Sequence, residues 1–172
     1  DDTTILHSSN DPKSDNLQNA ATQAVEWSKK NDMIINPVKT KELLFEFSKT
    51  RPKPDSLFIE NIEIAFSKTV KILGVTIADD LSWSKHIDDI TKKANQRIFL
   101  LSQLKRCGLS TCDLVDVFKS RIRPVVEYAS EAWHPGLTKG QAELLEKIQQ
   151  RALRIILPQM SYYDALSLTK LD

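Results

Sequence analysis

Residues 84–104 read SKHIDDITKKANQRIFLLSQL, and this stretch divides the chain. Ile87, Ile90, Ala94, Ile98, Leu101 and Leu104 recur at spacings of three and four over about five turns, the period of a helix with one apolar face. Ser84 is the candidate N-cap and Gly108 the candidate stop. The texture differs on the two sides of this helix.

Downstream, Ser110 and Asp113 form a capping-box-like pair ahead of Leu114, Val117, Phe118 and Ile122. Pro124 interrupts, and a short helix is expected through Tyr128 to Trp133. Thr138 and Gln141 form a second capping box before Leu144, Leu145, Ile148, Ala152, Ile155 and Ile156, and Pro158 ends that helix. A last short helix is expected after Ser161.

Upstream, Thr3 to Ser8 reads as a short strand, and residues 15–31 carry a helical stripe through Leu17, Ala21, Ala24, Val25 and Ser28. Lys41 to Phe47 is strand-like. Leu57–Ile59 and Ile62–Ile64 flank Glu60-Asn61, the pattern of a tight hairpin. Val70 to Ile77 reads as one further strand, with Gly74 inside it as a bulge or a point of close approach. The order predicts an α+β chain: residues 1–83 strands with one helix, residues 84–172 all helical.

The 172 residues carry a net charge of +1, which hides an asymmetry. Residues 1–90 hold 11 Lys/Arg against 15 Asp/Glu; residues 91–157 hold 12 against 6. An acidic front and a basic back suit metal chemistry at one end and polyanion contact at the other, although ordinary solvated faces give the same counts. Hydrophobic residues make up 41%, enough for a packed core. No apolar run approaches the ~20 residues of a membrane span. Cys107 and Cys112 are read as reduced thiols in an intracellular protein, nuclear or cytoplasmic, and His7, His86 and His134 are too scattered to complete a metal site with them.

Three Asp-Asp pairs are candidates for metal chemistry. Asp88-Asp89 sits near a helix N-terminus, where the dipole favours carboxylates, and Asp79-Asp80 falls in a turn. Asp1-Asp2 abuts the first strand. Neighbours on a regular strand point to opposite faces, so two adjacent aspartates share one metal only from a tight turn.

Five blocks resemble the carboxy-terminal part of the reverse transcriptases of non-LTR retrotransposons: DDTTIL at 1–6, WSKKNDMIINPVKTKELLF at 27–45, VKILGVTIADDLSWSKHI at 70–87, RPVVEYASEAWHP at 123–135 and LEKIQQRALRIIL at 145–157. They occur in family order and cover most of the chain. The resemblance implies the end of an antiparallel palm sheet followed by a thumb-like helical domain, from an RNA-directed DNA polymerase that uses two-metal nucleotidyl transfer. It makes Asp1 and Asp2 catalytic ligands of Mg²⁺, and Lys39 a catalytic cation near the triphosphate of a deoxynucleotide. Gly74 would belong to the hairpin that grips the primer. Lys39 as a plain loop lysine and Gly74 as a plain bulge remain open readings.

The resemblance further implies that the helical part holds an RNA template in an RNA–DNA or DNA duplex through phosphates. The candidates are Lys92, Lys93, Arg97, Arg121, Arg123, Arg151 and Arg154, with Lys105, Arg106, Lys119 and Lys147 beside them. Singly each is a surface charge; the collective excess carries the argument. Trp83, Trp133 and Tyr128 read as packing residues rather than stacking platforms. The fingers and the rest of the catalytic site would lie upstream, so the chain alone is not expected to polymerise DNA, and the edge of its first strand is expected to limit solubility. The rival readings are a non-catalytic nucleic-acid-binding relic and a helical interaction module.

Overall fold

The structure is a computed structural model that describes residues 3–8, 16–47 and 54–171. The chain is α+β and divides into two units, Asp1–Ser82 and Trp83–Asp172.

In the first unit, helix α1 spans Asn16–Lys30. Its stripe falls as the spacing predicts: Ala21 and Ser28 are buried, Leu17, Ala24 and Val25 half-buried. The proposed cap, Ser14-Asp15, lies outside the described residues. The helix stops where Asp32 turns left-handed (φ 55°) and the Met33 N–H reaches back to the Ser28 carbonyl at 2.9 Å. Strands β1 (Phe58–Ile59) and β2 (Ile62–Glu63) pair antiparallel around Glu60 and Asn61. Both turn residues have positive φ, 50° and 63°, as a two-residue turn of matching twist requires. Ala21, Ile59 and Ile64 make a small core, with Val25, Ile35 and Leu57 against it. The carboxamide of Gln18 acts as one more strand. It accepts the Phe58 N–H at 2.9 Å and donates to the Phe58 carbonyl at 2.8 Å, satisfying both outward groups of an edge residue.

Three expectations fail here. Residues 3–8 take no regular structure and are exposed, since nothing among the described residues forms a ladder with them. Residues 41–47 make only an isolated parallel bridge, Glu42 with Phe66. The supposed single strand 70–77 is a hairpin: β3 (Thr69–Ile72) pairs with β4 (Val75–Ala78) in the register Ile72↔Val75. Leu73 and Gly74 form its turn at φ 46° and 90°, so Gly74 is neither mid-strand nor a bulge. Asp79-Asp80 is the expected turn. The Asp80 carboxylate accepts the Ser82 N–H at 2.8 Å, and hydrogen bonds from Ser82 hold its carboxyl below the usual range.

The second unit is helical throughout. Helix α2 spans Ser84–Arg106 and buries Ile87, Ile90, Ala94, Ile98 and Leu101. Trp83, not Ser84, occupies its cap position, without a side-chain cap, and the Ser84 hydroxyl instead accepts from Gln141 Nε2 at 3.3 Å. Gly108 (φ 87°) ends the helix in a Schellman motif. Its N–H bonds the Lys105 carbonyl at 3.0 Å, and that of Leu109 bonds the Leu104 carbonyl at 3.3 Å.

Helix α3 (Thr111–Val117) starts on Ser110, whose hydroxyl accepts the Asp113 N–H. It widens into a π-helical turn, Phe118–Ile122, and continues as α4, Arg123–Glu127. Pro124 therefore does not interrupt where expected. Having no N–H, it is accommodated by the wider turn and the fresh helical start. The break falls later, at Tyr128 and left-handed Ala129 (φ 52°), and only the single turn α5 (Ser130–Trp133) and a 3₁₀ turn (His134–Gly136) follow.

Helix α6 (Lys139–Ile156) has the complete Thr138–Gln141 capping box, and α7 spans Tyr162–Thr169. The core joins Ala94, Ile98 and Leu101 of α2 to Leu114, Phe118 and Ile122, and to Ile148, Ala152, Leu153 and Ile156 of α6. Each fully buried aliphatic chain contributes roughly 1.5–3 kcal/mol. No described helix is long and apolar enough to cross a membrane.

Candidate nucleic-acid interface

Residues three and four apart share a helix face, so the register of α2 decides what its basic residues can touch. Its core stripe separates two flanks. Lys92 and Asn95 lie on the flank beside α6, where Asn95 Oδ1 accepts from Arg151 Nη1 at 2.6 Å. Lys93 and Arg97, four apart, lie on the other, where Arg97 Nη1 donates to the backbone carbonyl of Arg121. The basic residues singled out from the sequence are thus not one surface.

On α6, Lys147, Arg151 and Arg154 stand at spacings of four and three and are all exposed. They form one cationic stripe, and the Arg151–Asn95 bond places it next to the Lys92 flank. Asn95 was missed by the charge argument. Its only signal in the sequence is its place one residue off the apolar stripe.

Arg123 is paired within its own helix, its Nε 2.6 Å from Glu127 Oε1, which sets its charge apart from the exposed stripe. It is the one basic candidate in an ion pair among the described residues. Lys105 is half-buried and donates from Nζ to the carbonyls of Ile155 and, at 3.1 Å, Ile156. A cation at the negative end of α6 is stabilising there and is committed to the fold. Arg106 and Lys119 are exposed.

Among the aromatic candidates, Trp133 is buried, donates from Nε1 to the Tyr128 carbonyl at 3.0 Å and packs edge-on against His86. Tyr162 donates to Glu146. Burial, followed by that bond, pushes its phenol well above the usual value, so it stays a donor. Cys107 and Cys112 are exposed free thiols.

In the first unit Lys39 sits exposed in a turn, its N–H bound to both the carbonyl and the side-chain oxygen of Asn36 at 3.2 Å. Gly74 lies at the tip of the β3–β4 hairpin. Asp1 and Asp2 lie outside the described residues. Among the described residues no group of three or more His, Cys, Asp or Glu side chains is placed to hold a metal ion. Glu42 is a buried carboxyl (9% exposed), and burial raises its pKa.

No family model matches the chain, and no solved structure matches it. Two curated proteins of Drosophila melanogaster do. A probable RNA-directed DNA polymerase from transposon X-element is 26% identical over 147 residues, 83% of this chain and 16% of the relative. A probable RNA-directed DNA polymerase from transposon BS is 25% identical over 161 residues, 91% of this chain and 18% of the relative. The chain therefore spans less than a fifth of the length of these relatives. The resemblance read from its five blocks is supported by both: over most of its length, this chain is similar to part of the RNA-directed DNA polymerase of non-LTR transposons.

Proposed function

We propose that this chain is the end of the palm and the thumb of a transposon RNA-directed DNA polymerase, working within a longer protein. The observation that carries the reading is the likeness to two such enzymes across 83% and 91% of the chain. In this reading the unit Asp1–Ser82 belongs to the palm and Trp83–Asp172 is the thumb. The thumb holds the template–primer duplex by its phosphates, and the α6 stripe of Lys147, Arg151 and Arg154, with Lys92 beside it, is the contact face. Phosphate contacts need exposed, unpaired cations on a firm element, which this stripe supplies. Arg123, tied to Glu127, contributes less.

In the longer protein Asp1 and Asp2 bind Mg²⁺, whose chemistry is to stabilise the charge that develops on the transferred phosphate. Lys39 offers a cation to the triphosphate of a deoxynucleotide. At the β3–β4 turn Gly74 presents no side chain, which on its side of the turn allows close approach to the primer end, beside the exposed Leu73. The 172-residue chain alone binds duplex and does not polymerise.

The test is binding of a blunt RNA–DNA hybrid to the 172-residue chain, followed by fluorescence anisotropy. Reversing charge in Arg151→Glu/Arg154→Glu weakens binding by tenfold or more, from the loss of two phosphate contacts and the repulsion gained. An unchanged affinity removes α6 as the contact face. Absence of binding by the wild-type chain favours the helical interaction module instead.

A further inference from the structure

On the flank of α2 away from Arg151, a groove of about 370 Å³ runs between α2 and the π-helical turn. It is lined by Arg97, Leu100, Val117, Arg121 and Ile122. Its floor is hydrocarbon: Ile122 is fully buried, Val117 half-buried, and Leu100 is 54% exposed. Its rim carries two guanidiniums, one from each wall, and no carboxylate lines it among the described residues. Arg97 is held in place by its bond to the Arg121 carbonyl, so one guanidinium is oriented before any ligand arrives. The wall that carries Arg121 is the π-helical turn, the kind of local widening that occurs often at functional sites.

A duplex is a poor occupant. Its bases are stacked on one another and cannot reach an apolar floor, and a flat phosphate ladder needs no concavity. An apolar floor between two cations suits a flat ring joined to phosphates. The ring covers Leu100 and Val117, above the buried Ile122, and the phosphates on either side of its sugar meet Arg97 and Arg121. We propose that this groove binds an unpaired nucleotide of a single-stranded nucleic acid, separately from the duplex face on α6. The proposal deepens the nucleic-acid reading above and rests on it. No contact to a 2′-hydroxyl is invoked, so RNA and DNA strands are both ligands.

The test uses the 172-residue chain with labelled oligonucleotides of about eight nucleotides, one of RNA and one of DNA in the same sequence, beside the blunt hybrid. Arg97→Gln and Arg121→Gln each weaken single-strand binding by about tenfold. Leu100→Asp, which sets a carboxylate at an exposed position and so is compatible with folding, does the same while leaving duplex binding within about twofold. A thermal melt of each variant reports whether the fold is retained. If Arg97→Gln fails to fold, Leu100→Asp and Arg121→Gln decide.

Duplex binding that persists while single-strand binding ignores all three substitutions overturns the groove and leaves the duplex reading standing. Loss of both ligands together in Leu100→Asp also overturns it, because the two faces are then one. A wild-type chain that binds neither ligand removes the nucleic-acid reading itself. A short poly-glutamate peptide that binds as tightly as the oligonucleotides, with the same sensitivity, shows a bare charge site and overturns the assignment to a nucleotide. Binding of the RNA strand alone overturns the claim that the sugar goes unread.

Discussion

Arg151 reaches from α6 to Asn95 on α2, its Nη1 2.6 Å from the Asn95 oxygen. The bond ties the basic stripe to the neighbouring helix and fixes one of its two guanidiniums. Arg154, one turn on, makes no such bond among the described residues. Arg151→Ala is therefore expected to lower stability by about 0.5–1.5 kcal/mol, and Arg154→Ala by nothing measurable, while both weaken duplex binding. Thermal melts read beside binding curves check the split.

Gly136 packs against the Nε1–Cδ1 edge of the Trp83 indole: a Cβ there would lie 2.5 Å from Nε1 and 2.9 Å from Cδ1. Gly136→Ala must displace an indole ring and is expected to cost about 1–3 kcal/mol. Gly140, in the first turn of α6, has nothing within 4 Å of such an atom. Gly140→Ala should be neutral or stabilise by up to about 1 kcal/mol, since alanine is the better helix residue. Gly108 also has open space but sits at φ 87°, so Gly108→Ala costs about 1 kcal/mol from backbone strain alone. Denaturant melts of the three variants separate contact from conformation.

Lys105 ties the end of α2 to the last carbonyls of α6. Lys105→Met keeps most of the hydrocarbon and removes the charge. It is expected to lose about 1–2 kcal/mol and leave duplex affinity unchanged, the reverse of what a phosphate contact would show.

Glu42 gives a pH signature. Its carboxyl is raised above 4.5 by burial, so the folded state prefers the protonated form. The favourable contribution is complete below pH 4.5 and is lost as pH rises through the folded value. Glu42→Gln should raise the melting temperature of the first unit by a few degrees at pH 7 and change it little at pH 4. Equal shifts at both values would exclude desolvation of the carboxylate as the cause.

The long helices were legible because their burial follows a single period: every apolar residue of α2 from Ile87 to Leu101 in the predicted stripe is buried. The Glu60-Asn61 turn was legible because two polar residues separate two apolar pairs. The hairpin at Leu73-Gly74 was not, since leucine rarely adopts φ 46° and the flanking β-branched residues run on without a polar break. The π-helical turn was hidden for the opposite reason. Pro124 signals a break, but the chain absorbs it by widening the turn before it. For the basic residues the sequence supplied the number and the helix, and it did not supply the partners. That Arg97 turns to the Arg121 carbonyl, Arg151 to Asn95, Arg123 to Glu127 and Lys105 to the end of α6 depends on tertiary packing, which charge spacing does not encode.

The central claim, that the helical unit grips a template–primer duplex through phosphates, is tested most directly by the salt dependence of blunt RNA–DNA hybrid binding to the 172-residue chain. With Lys92, Lys147, Arg151 and Arg154 each neutralising one phosphate, log affinity should fall against log salt with a slope of about −3 to −4. The slope should be shallower by about two in Arg151→Ala/Arg154→Ala. A slope near zero, or no binding at low salt, would contradict the account.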